Sequence, residues 1–165
     1  MAVQIHVLEG FGGFYSSRGS APHLLESALN DSTLRATNFV IVHGGWPLVD
    51  ETQALLARPN VFTDISAMVL TVDPARLAQV LRQWLAEWPE KVLFGSDAFD
   101  GGPDQGWAEV AWVGTTTARR ALAEALTEMM RHGDIDRAHA QQIAQKVMRE
   151  NAVAEIGRAS CRERV

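Results

Sequence analysis

Three side chains in this sequence are of the types that hold a divalent cation. Each closes a stretch that reads as a β-strand: His6 in "VQIHV", His43 in "NFVIVH" and Asp97 in "KVLFGSD". Two imidazoles and a carboxylate suit zinc, iron or manganese. Such a cation acidifies bound water enough to supply hydroxide near neutral pH, and a neighbouring carboxylate can relay the released proton to a leaving group. The natural outcome is attack on a carbonyl or amide carbon. Taken singly, each residue has a plainer reading. A strand histidine can be a hydrogen-bonded structural group, His43 before Gly44 and Gly45 can open a turn, and Asp97 can cap the next segment. Asp64, which with Ser66 ends "NVFTDIS", has the same capping alternative. The coincidence of three metal-type residues on three strand ends favours a cation.

The elements that must position them alternate in period. Strand-like runs span 3–7, 38–43, 60–66 and 91–97. Helical spacing predicts a short helix over 22–29 and a second over 47–57, with Pro47 in its first turn and Leu48, Val49, Leu55 and Leu56 on one face. A third covers 73–88, capped by Asp73 and carrying the stripe Leu77, Val80, Leu81, Trp84, Leu85 and Trp88, which is core. A fourth runs over 117–132 with Gly133 to stop it, and a last one over 136–152. Strand alternating with helix gives an α/β class with parallel strands, in an open sheet or a barrel. In both, loops at the carboxyl ends of strands gather the chemistry. Alternation puts Val3, Ile5 and Val7 on one face of the first strand and His6 on the other. If the apolar face meets helices, His6 points toward a barrel axis. Gly95 and Asp97 share a face by the same parity.

Composition removes other classes of function. The chain has 165 residues, is 47% hydrophobic and 21% charged, and carries a net charge of −5. It is long enough for one core, and it has no basic stripe for nucleic acid or an anionic membrane. No run approaches the roughly 18 apolar residues of a membrane span, and no signal peptide is evident, which places the protein in the cytoplasm by default. Cys161 is the only cysteine, so disulfides and thiolate zinc sites are excluded. His23, His132 and His139 fall in helical stretches as solvated or packed residues. The pair Gly44–Gly45 is a weak signal for an anion-binding loop.

"VQIHV", "FVIVHGGWP", "NVFTDIS" and "VLFGSDAF", in this order, followed by "AQQIAQKVMRENAV", resemble the second half of the amidohydrolase-related metal-dependent hydrolases (amidohydrolase family 2). The resemblance covers residues 3 to 154. It implies the C-terminal half, strands five to eight with their helices, of a TIM (β/α)8 barrel. By it His6 matches the fifth-strand metal histidine. His43 matches a sixth-strand histidine that binds metal or serves as acid/base and substrate contact, and Asp97 matches the eighth-strand ligand that also accepts the proton of the attacking water. The implied cofactor is a divalent metal, zinc first. The implied partner is a small-molecule substrate, with a homo-oligomeric parent protein.

The family's first-strand His-x-His pair and fourth-strand ligand have no counterpart here. Three ligands at most are present, and the expectation is a fragment that binds metal weakly and self-associates. Residues 155–165 read as the translation of a common sequencing adapter, so the domain expected is 1–154 followed by a non-native tail. Three functions stay open: a metal-dependent hydrolase, a decarboxylase on the same scaffold, and a catalytically inert half-barrel. The loop 9–23 is the expected substrate-facing segment, with Arg18 holding a substrate carboxylate.

Overall fold

The computed structural model describes residues 2–7, 17–102, 106–155 and 157, with the side chains of residues 17 and 18 left out. Four parallel strands, β1 (Ala2–His6), β2 (Asn38–Val42), β3 (Val61–Asp64) and β4 (Val92–Leu93), lie side by side in chain order. Each returns to the sheet through helices, as parallel neighbours require. The helices are α1 (Glu26–Leu29), α2 (Val49–Leu56), α3 (Met68–Thr71), α4 (Pro74–Leu85), α5 (Trp107–His132), α6 (Arg137–Gln145) and α7 (Asn151–Glu155). Lys146–Glu150 is a π-helical segment linking the last two.

The register decides which side chains share a face. Gln4 pairs with Val40, Val40 with Phe62, and Asp64 with Leu93, so these residues and His6 belong to one surface. The opposite surface presents Ile5, Val7, Phe39, Ile41, Val61 and Val92 to the helices, where they join one large core with Leu56, Leu77, Leu81, Trp84, Leu122 and Met129. The parity expected for β1 is therefore found. The inner surface holds a much smaller cluster, Val40, Phe62 and Leu93, touched by Ala2 and Ala152.

Several elements begin where their residues say they should. Asp73 caps α4, its carboxylate accepting from the amides of Ala75 (2.9 Å) and Arg76 (3.2 Å), with Pro74 at the first position. Gly133, at φ 78°, closes α5, and the Asp134 amide reaches back to the Met129 carbonyl at 3.0 Å. Asp136 caps α6 through the His139 amide.

Three expectations need correction. Pro47 precedes α2: it follows Trp46 in a cis turn, and the helix starts at Val49. α5 starts ten residues before the expected Thr117, because Val110, Gly114 and Ala118 form a stripe of small buried residues. At Gly114 a Cβ would stand 3.0 Å from Val69 and 3.3 Å from the Ser96 carbonyl, so glycine is what lets this helix approach α3 and the segment after β4. Finally, β4 spans Val92–Leu93 and not 91–97. The ladder with β3 ends at Leu93, and Asp97 has φ 52°, so strict alternation does not carry through to Asp97.

The far edge of β4 is covered by the end of the chain. The Thr63 and Ile65 amides donate to the carbonyls of Lys91 and Leu93, which turns the Val92 carbonyl and the Phe94 amide the other way. The Phe94 amide donates to the Val147 carbonyl (2.9 Å), and Asn151 Nδ2 donates to the Val92 (2.8 Å) and Pro89 (2.9 Å) carbonyls. The π-helical turn, in which the Asn151 amide bonds to the Lys146 carbonyl, accompanies this diversion of the Val147 carbonyl to the sheet.

Candidate functional site

β1 delivers His6 to the carboxyl rim of the inner face, where it is exposed. β2 ends at Val42, and His43 turns sharply, with φ 68° followed by 64° and 66° at Gly44 and Gly45. Such a run needs glycine at its tight points. A Cβ on Gly44 would meet Met68 and lie 2.8 Å from the Trp84 ring, and one on Gly45 would lie 2.6 Å from Pro22. The glycine pair is a packing requirement. Its effect is to carry the His43 ring, 4% exposed, against His6, with centroids 4.6 Å apart and planes at 83°.

β3 supplies what holds His43 in place. Asp64 Oδ1 accepts from the His43 amide (2.9 Å), from the Ser66 amide (2.9 Å) and from the Ser66 hydroxyl. His43 Nδ1 lies 2.8 Å from Ser66 Oγ. An oxygen already receiving two amides is an acceptor, so the single Ser66 proton goes to Asp64 and Ser66 Oγ must accept from Nδ1–H of His43. This assignment leaves Nε2 of a neutral His43 with its lone pair free for a proton, a substrate or a metal. Gly95, in the segment after β4, closes the cluster: a Cβ there would be 2.8 Å from that of Ser66.

The predicted trio is thus assembled in part. His6 and His43 touch. Asp97 is exposed and lines a neighbouring hollow of about 300 Å³ with Ala67, Leu70, Phe99, Glu109 and Val113. Among the described residues no three His, Cys, Asp or Glu side chains stand close enough to share a metal ion. A zinc site takes three or four protein ligands, so the pair as it lies offers too few, and the arrangement does not by itself fit a resident cation. The backbone of Arg18 lies on a 3-10 turn, Ser17–Ser20, while its side chain, most of the loop 9–23 and most of the tail 155–165 fall outside the described residues. The sequence reading named Asp64 and Ser66 as strand-end residues but missed their partnership with His43. The spacing Asp-x-Ser on a strand end was the available signal.

A family model described as amidohydrolase matches residues 2–158. The chain belongs to the amidohydrolase family. That membership makes it a relative of metal-dependent hydrolases, and the four parallel strands with their helices are compatible with part of a TIM barrel. No curated protein and no solved structure matches the chain. No helix among the described residues is long and apolar enough to cross a membrane.

Proposed function

We propose that this chain is the strand-five-to-eight half of an amidohydrolase barrel, and that His43 is the proton-transferring group of a site hydrolysing a carbonyl or amide bond in a small molecule. The observation that carries the reading is the ordered chain Asp64–Ser66–His43 at the carboxyl ends of the strands, the end where parallel α/β folds gather their chemistry. A base whose other nitrogen is held by a fixed partner presents its lone pair in one direction, which is what general base catalysis needs. His6, 4.6 Å away between ring centroids, is placed to hold a substrate oxygen or to share a ligand with Nε2 of His43.

The metal expected of the family would supply an activated water. His6 and Asp97 are its proposed ligands in the assembled barrel, zinc being the first choice; His43 would join them only in the alternative in which its Nε2 binds the metal in place of taking a proton. Asp97 stands outside the histidine pair here, so the chain alone should hold zinc weakly and lack turnover. Among the described residues β1 pairs on one side only, with β2, so further strands could add there, whereas closing the barrel at β4 would require its bonds to Val147 and Asn151 to be released. Arg18 is proposed to meet a carboxylate on the substrate.

The test compares the chain alone with the chain joined to a four-strand amino half carrying a His-x-His strand. Hydrolysis of small amides or lactones by the joined protein only, abolished by His43→Gln, is the expected result. Undiminished turnover in His43→Gln would overturn the role of His43. Release of carbon dioxide in place of a hydrolysis product would assign the scaffold to decarboxylation, and failure of both activities would favour an inert half-barrel.

A further inference from the structure

α5 and α6 diverge over a second hollow, of about 340 Å³, on the helical side of the sheet and built from residues other than His6 and His43. That volume falls at the lower end of the roughly 300–1,000 Å³ typical of small-molecule sites. Its lining is mostly apolar, with Leu122, Leu126, Ala140 and Met148 among it; its polar members are Thr127, Gln141 and two arginines, Arg119 on α5 and Arg137 on α6. Arg58, Arg82 and Arg131 are paired with carboxylates; among the described residues the exposed Arg119 and Arg137 are not, as is also true of Arg35, Arg76, Arg120 and Arg149, but only these two line the hollow. Guanidinium groups unopposed in a mostly apolar lining match one kind of molecule, an apolar body ending in a planar anion, because the guanidinium fork meets a carboxylate with two parallel hydrogen bonds.

Arg137 adds an independent argument. It is the first residue of α6, where the aligned backbone amides already make the helix end positive, and no acidic residue occupies the first turn. A cation there is placed against the helix dipole. The cap residue Asp136, one position before, has an oxygen accepting from the His139 amide at 2.8 Å. An anion lodged in the hollow would be favoured by the Arg137 guanidinium.

We propose that the α5–α6 hollow binds a free medium-chain carboxylate, of the fatty-acid class, with its tail over Leu122, Leu126 and Met148 and its head between Arg119 and Arg137. The reading does not depend on the chemistry at His43. Octanoate is the probe and octan-1-ol its uncharged control, both titrated calorimetrically into the full chain. Octanoate should bind saturably at one site, and the alcohol about tenfold or more weaker, as loss of a charge-assisted pair implies. The double variant Arg119→Gln/Arg137→Gln should lower octanoate affinity to the level of the alcohol. Ala123→Trp, an exposed lining position whose indole would fill the hollow, should abolish both without changing the circular dichroism spectrum. Absence of saturable octanoate binding, equal binding of acid and alcohol, or an unaffected double variant overturns the proposal. A dimer that octanoate does not dissociate and that Ala123→Trp makes monomeric would also overturn it, assigning the hollow to a second copy of the chain.

Discussion

On one face of the sheet Phe39, Ile41, Val61 and Val92 disappear under α2, α4 and α5; on the other, Val40, Phe62 and Leu93 are also buried, but among the described residues they form a cluster of three whose further apolar contacts are Ala2 and Ala152. Both faces come from the same four strands, and alternation alone separates them. The outer face is finished by the chain itself, whose helices supply Leu56, Leu81, Trp84 and Leu122 to fill it. The inner face carries polar groups at its rim, His6 and Asp64, and a thin apolar patch below. Stability resides on the first face and chemistry on the second, and His43 joins them: its backbone turn is packed by Trp84 from the outer core, while its ring faces His6.

The largest effect should come from the outer core. Trp84 is fully buried, its indole N–H donating to the Val49 carbonyl at 3.3 Å. Trp84→Ala should cost about 3–5 kcal/mol, the range for removing a large aromatic side chain from a closed core. Because Trp84 also packs the His43–Gly45 turn, the variant should loosen His43, visible as a shift in its imidazole resonances. A drop in the denaturant midpoint too small to match that range would mean the two faces are not energetically distinct. On the inner face Phe62, 6% exposed, belongs to a cluster of only three buried apolar residues among those described, so Phe62→Ala should cost less than Trp84→Ala, near the roughly 3 kcal/mol at the bottom of the same range. Equal losses at Trp84 and Phe62 would show the inner face to be as closed as the outer.

The same contrast explains what could be read from the sequence. Where a residue's place follows from local alternation or a local cap, the letters suffice: the parity of β1, the Asp73 cap and the Gly133 stop all appear as expected. Where it depends on a partner distant in the chain, they do not. The helix from Trp107 to Thr116 was hidden because its face is made of small residues whose purpose, close approach to Val69 and the Ser96 carbonyl, exists only in three dimensions. Asp97 was placed on a strand because "KVLFGSD" is apolar and β-branched at its start, yet the pairing stops at Leu93. The residue types of the Asp64–Ser66–His43 chain were visible, but a parity argument would have sent His43 to the outer face with Phe39 and Ile41. Its positive φ, set by buried packing around Gly44 and Gly45, redirects it.

A smaller effect sharpens the role of the rim. Ser66→Ala removes the acceptor of the His43 Nδ1 proton and leaves Asp64 with its two amide donors. The cost in stability should be about 1 kcal/mol, that of one hydrogen bond. The diagnostic change is in the ring: nitrogen chemical shifts should report a proton on Nδ1 in the parent and a mixture of tautomers in the variant. An unchanged tautomer would show that Ser66 does not orient His43.

The smallest effect belongs wholly to the outer layer and carries a sign. Lys91 is buried, its Nζ donating to the Leu56 and Arg58 carbonyls at the end of α2 and lying 4.7 Å from the centre of the Trp88 ring. Burial holds its pKa below the ordinary lysine value, opposed by the charges of Glu90 and Glu155. Between that lowered value and about 10.4, the unfolded chain binds more protons at this position than the folded one, so this group makes stability rise with pH across that window. The neutral amine keeps two donors for two carbonyls, so the rise need not break either hydrogen bond. Lys91 and Lys146 are the chain's only lysines, which keeps the competing background low. The denaturant midpoint should climb slightly from pH 8 toward pH 10 in the parent relative to Lys91→Met. If both fall in parallel, the two carbonyls and the Trp88 ring stabilise the ammonium enough to cancel its burial, and the end of α2 is held by a charge.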